Sequence, residues 1–319
     1  MRGTVIIVSH NSSAYIEACL QSLLWAPGWN IVVIDNASQD SSVQRAMQAA
    51  PDARIISKSE NLGYAGAANL AASMSDADIL LLLNPDIVAD HGALHNVVQG
   101  FSDDRVGAVA GMLSQPNGLP QRGFSVRRFP GLSSALAEVL LLNRIWPLNP
   151  WNRRYRALDF DYSKAQEVEQ PAGACLAIRR AAWLDIRGMD DSFYPVWFED
   201  VDLCRRLNDG GWKILYCPKA VFIHVGGHSV SQLSFYERQA IWYGNLIRYF
   251  AKHESRWKCF LLRIGILAGL LLRCAVSALG LGPSDVSLGT AIHVYCEVAW
   301  HYGVLGQVTP PKTHLQSSG

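Results

Sequence analysis

The stretch Ile79-Leu80-Leu81-Leu82-Leu83-Asn84-Pro85-Asp86 decides the fold. Its first five residues are all apolar, which is typical of a parallel strand covered on both faces, because no side of such a strand meets water. Asn84-Pro85-Asp86 then ends the strand, since proline cannot donate a hydrogen bond to a central sheet ladder. We predict a buried strand over 79–83 with a polar loop at its carboxyl end.

The same pattern of a buried strand followed by a polar loop occurs twice before this stretch. Thr4–Val8 leads into the loop Ser9–Ser13, and Ile31–Ile34 leads into the loop Asp35–Asp40. The apolar residues between them follow the spacing of one helix face: Ile16, Cys19, Leu20, Leu23 and Leu24. Further strands are predicted over 54–56 and 106–112, and further helices over 67–74 and 91–101. This alternation predicts a doubly wound, mostly parallel α/β sheet flanked by helices.

Ligands of such sheets bind beyond the carboxyl ends of the strands. The three polar loops at 9–13, 35–40 and 84–86 would therefore share one edge. The first strand is not followed by Gly-x-Gly-x-x-Gly, and Gly-x-x-x-x-Gly-Lys-Ser/Thr does not occur in the sequence. These absences argue against a dinucleotide site and against a P-loop.

A second stretch, Trp197 to Arg206, places three carboxylates within four positions directly after an aromatic-rich run. Leu203 and Leu207 follow at helical spacing, which predicts a helix that begins near Asp200 and ends near Asn208. The acids are open to two interpretations. In the first interpretation, the negative side chains only stabilise the N-terminus of the helix, where the helix dipole is positive. An aromatic wall also removes water from a carboxylate, which raises its pKa toward that of a useful base.

The composition is that of a folded, slightly apolar enzyme: 319 residues, 50% hydrophobic and 17% charged, with a net charge of +1. Positive charge is concentrated in two stretches. Residues 122–156 carry seven arginines and one acid, and residues 238–273 carry seven Arg or Lys and one acid. Both stretches also contain apolar runs. This combination favours an anionic membrane surface as a partner, and not nucleic acid.

The seven cysteines are scattered, without Cys-x-x-Cys or zinc-ligand spacing, and are typical of reduced structural thiols in a cytoplasmic protein. No signal peptide is expected before the first strand. Leu132–Trp151 is either a core helix or an interfacial element. Cys259–Gly282 is long enough to span a bilayer. Arg263 and Arg273 inside it favour a helix in the membrane plane, or a hairpin, over a spanning helix.

Eight motifs in order over residues 3 to 250 resemble family 2 glycosyltransferases, which have the GT-A fold and are inverting and metal-dependent. They are Val8–Asn11, Ile34–Asp40, Asn61–Asn69, Leu83–Asp86, Pro171–Ala174, Gly188–Asp190, Glu199–Asp202 and His224-x-x-Gly227-x-Ser229. Arg127-Arg128-Phe129-Pro130 and the apolar C-terminal part resemble the rhamnosyltransferase branch of the family.

The resemblance implies a nucleotide-sugar site. Its residues would be Ser9, Asn11, Asp35, Asn61, Gly63, Asn84, Asp86, Gly173 and Ala174. Asp35 would accept from the N3–H of a uracil or thymine ring, although it could equally form an Asx turn. Asn84-Pro85-Asp86 stands where the family has Asp-x-Asp, so one acid is replaced by Asn84, and a simple Asn-Pro turn is the alternative.

The resemblance also implies a divalent cation, Mn²⁺ or Mg²⁺, held by Asp86 and His224. A histidine at the end of an apolar strand is otherwise a satisfied core residue. Asp200 would be the general base, while Glu199 and Trp197 would bind the acceptor. Asp202 is expected to serve the helix N-terminus.

These expectations divide the chain into a GT-A domain over 1–250, a helical membrane-associating extension over 251–308 and a flexible tail over 309–319. Residues 1–115 would be the nucleotide-binding half of the GT-A domain, and residues 116–250 the acceptor half. The expected function is inverting transfer of one sugar, first L-rhamnose from dTDP-rhamnose, to a lipid-linked glycan at the inner face of the cell membrane. The alternatives are another donor such as a UDP-hexose, or an inactive sugar-binding protein on the same fold.

Overall fold

The computed structural model describes residues 1–226 and 233–307. The predicted motif residues Gly227 and Ser229, and the predicted tail over 309–319, lie outside the described residues.

Eleven strands and twelve helices form in the described part of the chain. The strands are β1 Gly3–Ser9, β2 Trp29–Asn36, β3 Arg54–Lys58, β4 Ile79–Leu83, β5 Ile87–Ala89, β6 Val106–Ser114, β7 Val126–Arg127, β8 Gln166–Glu167, β9 Gln170–Pro171, β10 Cys175–Arg179 and β11 Lys213–His224. The helices are α1 Ile16–Leu23, α2 Ser42–Ala49, α3 Gly63–Ser73, α4 Ala93–Gln99, α5 Leu132–Val139, α6 Leu142–Ile145, α7 Pro150–Tyr155, α8 Arg180–Asp185, α9 Glu199–Asp209, α10 Phe235–His253, α11 Arg256–Val276 and α12 Leu288–Val298. π-Helical turns follow α11 at Ser277–Leu281 and α12 at Ala299–Val304.

The central sheet has the strand order β3-β2-β1-β4-β10-β6-β11-β5, with β8 paired beside β11. Strands β1 to β4, β6 and β11 run in one direction, and β10, β5 and β8 run against them. The prediction of a mostly parallel α/β sheet is therefore confirmed.

Alternate residues of each buried strand feed two cores, one on each face of the sheet. Val5 and Ile7 pack with α1, α2 and α4. Ile6 and Val8 pack with α3, α8 and α9 on the other face. Because both faces are covered, the strands read as continuous apolar runs.

One predicted boundary is wrong. The sequence pattern predicted a helix over 67–74, but α3 begins at Gly63. The Asn61 side chain accepts from the Gly63 N–H at 2.8 Å, and Asn36 of β2 binds both ends of this turn. These contacts from another strand set the start of the helix, so local periodicity could not reveal it.

The chain forms two compact units. Of the described residues, unit 1 comprises 1–129 and 156–226, and unit 2 comprises 130–155 and 233–307. The sequence analysis placed the start of the C-terminal extension after residue 250. In the structure, residues 130–155 also group with the C-terminal helices, because α5 packs on α11. The functional halves proposed from the sequence stay a prediction.

In unit 2, α5 and α11 approach closely through glycines of α11. A Cβ built on Gly265 would lie 2.3 Å from a Leu136 methyl carbon, and one on Gly269 would lie 2.0 Å from the Val139 carbonyl oxygen. The predicted apolar segment 132–151 is divided in character. Ala135, Ala137 and Val139 are buried, whereas the side chains after α5 are exposed: Ile145, Trp146, Leu148 and Trp151.

We expect Gly269→Ala to destabilise the protein by about 1–3 kcal/mol, the usual cost of overpacking, because the added methyl meets backbone. Gly289→Ala is the matched control, since a Cβ there meets nothing within 4 Å. It should be neutral or stabilising by up to about 1 kcal/mol. Urea unfolding followed by circular dichroism measures both, and equal midpoints would contradict this packing.

Candidate active site

The carboxyl ends of β1 and β2 bring Ser9 and Asp35 together, since they are register partners. Both are buried, and Asp35 is only 3% exposed. The Asp35 Oδ2 accepts from the Ser38 N–H at 3.2 Å, which is the expected turn contact. Its Oδ1 and the Ser9 Oγ have no hydrogen-bond partner among the described residues. Since such buried atoms cost free energy, this pair is ready to receive a polar ligand.

Asn36, which sequence reasoning missed, organises the neighbouring loop. Its side chain donates to Asn61 Oδ1 at 2.8 Å and accepts from the Leu62 N–H at 2.7 Å. Gly63 has φ +70°, and a Cβ on it would lie 2.8 Å from the Tyr194 ring. Glycine is therefore required at this turn by both conformation and space.

Asn11 joins the first two loops of the edge. Its N–H donates to the Ser38 hydroxyl at 2.9 Å, and its Oδ1 accepts from the Gln39 N–H at 2.7 Å. These contacts place Asn11 in the scaffold that joins the loops after β1 and β2. Its predicted contact with the donor stays a prediction.

The loop after β4 brings Asp86 to His224. Asn84 forms the expected turn, with its carbonyl accepting from the Ile87 N–H at 3.3 Å and its N–H donating to the Ala174 carbonyl at 2.9 Å. Asp86 Oδ1 lies 3.5 Å from His224 Nε2, and both side chains are buried. Pairing of Ile87 with His224 between β5 and β11 holds the two residues at this distance.

The arrangement around His224 fits a divalent cation. His224 Nδ1 lies 2.9 Å from Gln121 Oε1, and Gln121 Nε2 donates to the His224 carbonyl at 2.7 Å, which orients the amide. Nδ1 then donates to Gln121, and Nε2 faces Asp86 Oδ1, an oxygen that has no hydrogen bond among the described residues. Imidazole nitrogen and carboxylate oxygen are both ordinary metal ligands, and their separation of 3.5 Å allows them to share one cation. Phe124 stacks on the imidazole at a centroid distance of 5.2 Å.

Asp86 and His224 supply only two of the six or more ligands that a hard divalent cation takes. The described residues contain no group of three His, Cys, Asp or Glu side chains that could hold a metal ion. Hard divalent cations commonly complete their shell with phosphate oxygens and water. The roles of Asp86 and His224 as ligands stay a prediction that the geometry supports.

Asp200 lies against the backbone just before β10. Its Oδ2 accepts from the Gly173 N–H at 2.9 Å, and its Oδ1 accepts from the Val201 N–H at 2.8 Å. A Cβ on Gly173 would lie 2.6 Å from the Asp200 Cβ, so only glycine allows this approach. The two contacts fix the orientation of the carboxylate, which remains partly exposed to solvent.

The Glu199 side chain has a raised pKa because of its surroundings in the site. It is 6% exposed, and its Oε2 has no hydrogen-bond partner among the described residues. Burial raises the pKa of Glu199 well above its usual value, and the neighbouring Asp200 charge raises this pKa further. A Glu199 that keeps its proton can donate a hydrogen bond.

The turn before α9 is strained. Trp197 has φ 75° and Phe198 has φ 71°, a conformation that costs of order 1–3 kcal/mol for each bulky residue. The Phe198 carbonyl nonetheless accepts from the Asp202 N–H at 2.9 Å and starts the helix. The strain turns the chain so that Glu199 and Asp200 stand in the first turn of α9. Trp197 as an acceptor contact stays a prediction.

Asp202 serves the helix and its anchoring. It is fully buried and pairs with Arg206 Nε at 2.7 Å. Arg206 also donates to the Ile186 and Gly188 carbonyls at 2.6 and 2.7 Å. This network fastens α9 to the segment after α8, which holds the first turn of α9 in place.

Tyr64 connects the acids of the site. Its hydroxyl donates to the Gly173 carbonyl at 3.4 Å. Burial raises the Tyr64 pKa, and the neighbouring carboxylates of Asp200 and Asp86 raise it further. Carboxylates from the loop after β4 and from α9 therefore both raise the pKa of the Tyr64 hydroxyl. Tyr64 and Gln121 were both missed as site residues; Tyr64 stood inside a quoted motif, whereas Gln121 had no signal in the sequence.

We expect Glu199→Gln to change how stability depends on pH. The folded state keeps the Glu199 proton over a pH range in which the unfolded chain has lost it. The wild-type free energy of unfolding therefore falls relative to the variant as pH rises from the ordinary value of 4.5 to the folded pKa. The slope should be about 1.4 kcal/mol per pH unit. Urea titrations at several pH values measure it; the exposed control Glu60→Gln should lack this slope, and parallel curves for wild type and Glu199→Gln would contradict it.

Comparisons with known proteins bear on the family and the fold of this chain. The chain is 31% identical over 242 residues to an N-acetylglucosaminyl-diphospho-decaprenol L-rhamnosyltransferase of Mycobacterium tuberculosis, with 72% of this chain and 77% of the relative covered. It is 26% identical over 257 residues to the rhamnosyltransferase WbbL of Escherichia coli, with 78% and 92% covered.

A mannosyltransferase from Pyrobaculum calidifontis, solved in complex with GDP-Man and Mn²⁺, superposes with a TM-score of 0.54 at 18% identity. The match covers 95% of this chain and 87% of that one, and confirms the GT-A type of fold. A sequence profile of glycosyl transferase family 2 matches residues 4–183. This profile match and the 31% identity show that the chain is a glycosyltransferase and belongs to glycosyl transferase family 2.

Proposed function

We propose that this glycosyltransferase moves one sugar, with inversion, from a nucleoside diphosphate donor to a lipid-linked glycan at the inner face of the cell membrane. L-Rhamnose from dTDP-rhamnose is the first donor to test. The observation that carries the proposal is the fixed carboxylate of Asp200, which shares an edge of the sheet with Ser9, Asp35 and Asp86.

Asp200 is the proposed general base. The acceptor hydroxyl gives its proton to the Asp200 carboxylate while its oxygen forms a bond to the anomeric carbon. The bond from that carbon to the donor diphosphate breaks on the opposite side, and the diphosphate oxygen leaves with the electron pair. One positioned carboxylate is sufficient for this single displacement. The protonated Glu199 beside it orients the acceptor by donating a hydrogen bond.

Asp35 is proposed to recognise the base of the nucleotide. Its Oδ1 is a buried acceptor without a partner among the described residues, and the N3–H of a uracil or thymine ring is a matching donor. Ser9, opposite Asp35, supplies a second polar atom. This pairing predicts a preference for a pyrimidine nucleotide without selecting between UDP and dTDP.

Asp86 and His224 are proposed to hold a divalent cation, which when bound neutralises the charge of the donor diphosphate. Arg122 lines an open depression of about 350 Å³ together with Gln121, Phe124 and His224. Its guanidinium adds positive charge beside the leaving group. The mannosyltransferase solved with Mn²⁺ supports a cation in a fold of this type.

Two relatives named as rhamnosyltransferases support rhamnose, and one of them is named for a diphospho-decaprenol acceptor. A UDP-hexose transferase is the alternative within the class, and a panel of nucleotide sugars separates the two by donor hydrolysis. An inactive sugar-binding protein is the alternative outside it, and would bind donor without turnover.

We expect Asp200→Asn to lower transfer by a factor of about one hundred or more, because the amide cannot take the acceptor proton. Donor binding, measured by calorimetry, should change little. Asp209→Asn is the matched control, since it makes the same change on an exposed residue of the same helix. Transfer by Asp200→Asn within threefold of wild type would remove it as the base.

We expect transfer to require a divalent cation and to cease in excess chelator. Asp86→Asn and His224→Ala should each weaken Mn²⁺ binding.

Gln121→Leu should weaken Mn²⁺ binding by about 10- to 100-fold, because the His224 imidazole loses the contact that orients it. Electron paramagnetic resonance of free Mn²⁺ measures binding without turnover. Gln99→Leu, on the exposed side of α4, is the control; full transfer in chelator would overturn the cation proposal.

A further inference from the structure

The outer face of α11 is a continuous apolar stripe. Every exposed position from 257 to 279 is apolar, and these positions recur every three or four residues along one side. The largest side chains of the stripe are Trp257, Phe260, Leu261, Ile264, Leu271, Leu272 and, in the π-helical turn after α11, Leu279. At 1.5 Å per residue the stripe is roughly 33 Å long. An exposed apolar surface of this extent marks an interaction site.

The opposite face of α11 is committed to unit 2. Leu262, Ile266 and Leu270 are buried, and Gly265 and Gly269 bring the helix against α5. The helix also packs on α10 and α12. It therefore presents one face to its own unit and one to the outside, as a helix embedded along a surface does.

The two arginines of α11 are satisfied inside unit 2. Arg263 Nε donates to the Gly303 carbonyl at 3.1 Å, and Arg273 donates to the Gly269 carbonyl at 3.2 Å and to the Val139 carbonyl. Their charges thus lie beside the stripe and not within it. A spanning α11 would have to take α10 with it, and α10 carries Arg238, Arg248 and Lys252. Among the described residues only the helix from Arg256 to Leu281 is long and apolar enough to cross a membrane.

The net charge of unit 2 indicates what kind of partner binds the apolar stripe. The described part of unit 2 contains ten Arg or Lys and five Asp or Glu, a net charge of +5. Unit 1 contains 17 Arg or Lys and 22 Asp or Glu, a net charge of −5. Arg256 and Lys258 flank Trp257 at the start of the stripe. An apolar face on a basic unit, with tryptophan and cations at its end, matches an anionic bilayer.

We propose that α11 lies in the plane of an anionic membrane, with the stripe from Trp257 to Leu279 inserted among the acyl chains and the helix not crossing the bilayer. This inference deepens the proposed function, because it names the surface by which the enzyme meets a lipid-linked acceptor. Its test does not depend on which sugar or acceptor is used.

The first experiment measures vesicle binding of the full chain. Ile264 and Leu271 are 47% and 67% exposed, so Ile264→Glu with Leu271→Glu adds charge to the stripe without entering the core. This pair should weaken flotation with vesicles of about 30% phosphatidylglycerol by at least tenfold. Leu119→Glu with Leu184→Glu is the matched control in unit 1, at 61% and 59% exposure, and should bind within about twofold of wild type.

Donor hydrolysis separates this inference from the proposed function. The stripe variant should hydrolyse donor as wild type does, because its changes lie outside the candidate active site. Loss of vesicle binding with hydrolysis retained supports the inference. If wild type hydrolyses no donor, but its vesicle binding still depends on the stripe, only the proposed function is contradicted.

The second experiment distinguishes an in-plane helix from a spanning one. Single fluorescent labels at positions 257, 268 and 279 are placed in a protein whose incompletely buried cysteines, Cys217, Cys259, Cys274 and Cys296, are serine. Quenching by spin-labelled lipids should give one shallow depth for all three. A deep label at 268 between two shallow ones would overturn the in-plane arrangement.

A second copy of the chain is the other possible occupant of the stripe. Sedimentation of wild type without lipid should then give a dimer that the stripe variant abolishes. A stable dimer of this kind, together with wild type that ignores anionic vesicles, would overturn the proposal. Equal vesicle binding by wild type and the stripe variant would overturn it as well.

Discussion

The contact between Asp200 and the backbone of Gly173 is the constraint on which the site depends. The carboxylate accepts the Gly173 N–H at 2.9 Å, and a methyl group at position 173 would lie 2.6 Å from the Asp200 Cβ. This approach sets the first turn of α9 against the start of β10. It also accounts for the left-handed conformation of Trp197 and Phe198, since the chain must turn sharply to begin a helix at that place. Such strain persists only where surrounding contacts determine it, and the buried Asp202–Arg206 pair supplies them.

The reversed direction of β10 joins the two halves of the site. Because β10 runs antiparallel to β4, its first residues lie at the edge where β1, β2 and β4 end. The Ala174 carbonyl accepts the Asn84 N–H at this edge, one residue from the glycine that holds Asp200. A fully parallel sheet would bring the start of that strand to the opposite edge. One antiparallel strand thus brings the proposed base to the proposed nucleotide and cation residues.

The two units differ in charge as well as in architecture. Unit 1 carries the acids of the site and is net negative, whereas unit 2 is net positive and carries the exposed apolar stripe. The overall charge of +1 conceals this division. Negative carboxylates suit cation and proton chemistry, while positive charge beside apolar surface suits anionic lipid. In the proposed function, this division separates the polar chemistry of unit 1 from the proposed membrane contact of unit 2.

The sequence by itself determined strands β1 to β4 and β6, and the polar loops after β1, β2 and β4, because continuous apolar runs and turn residues are local signals. It also marked Asp35, Asp86, Asp200 and His224, since each stands in a motif. The sequence left open which carboxylate of the stretch 197–206 has a raised pKa. Only the tertiary structure decided that it is Glu199, because Glu199 is buried. It likewise selected Gln121 and Asn36, whose partners are 103 and 25 residues away. It assigned residues 130–155 to the C-terminal helices through glycine contacts with α5. The physical reason is common to all three: burial, hydrogen-bond partners and close packing depend on residues that are distant in the chain, and no local pattern records them.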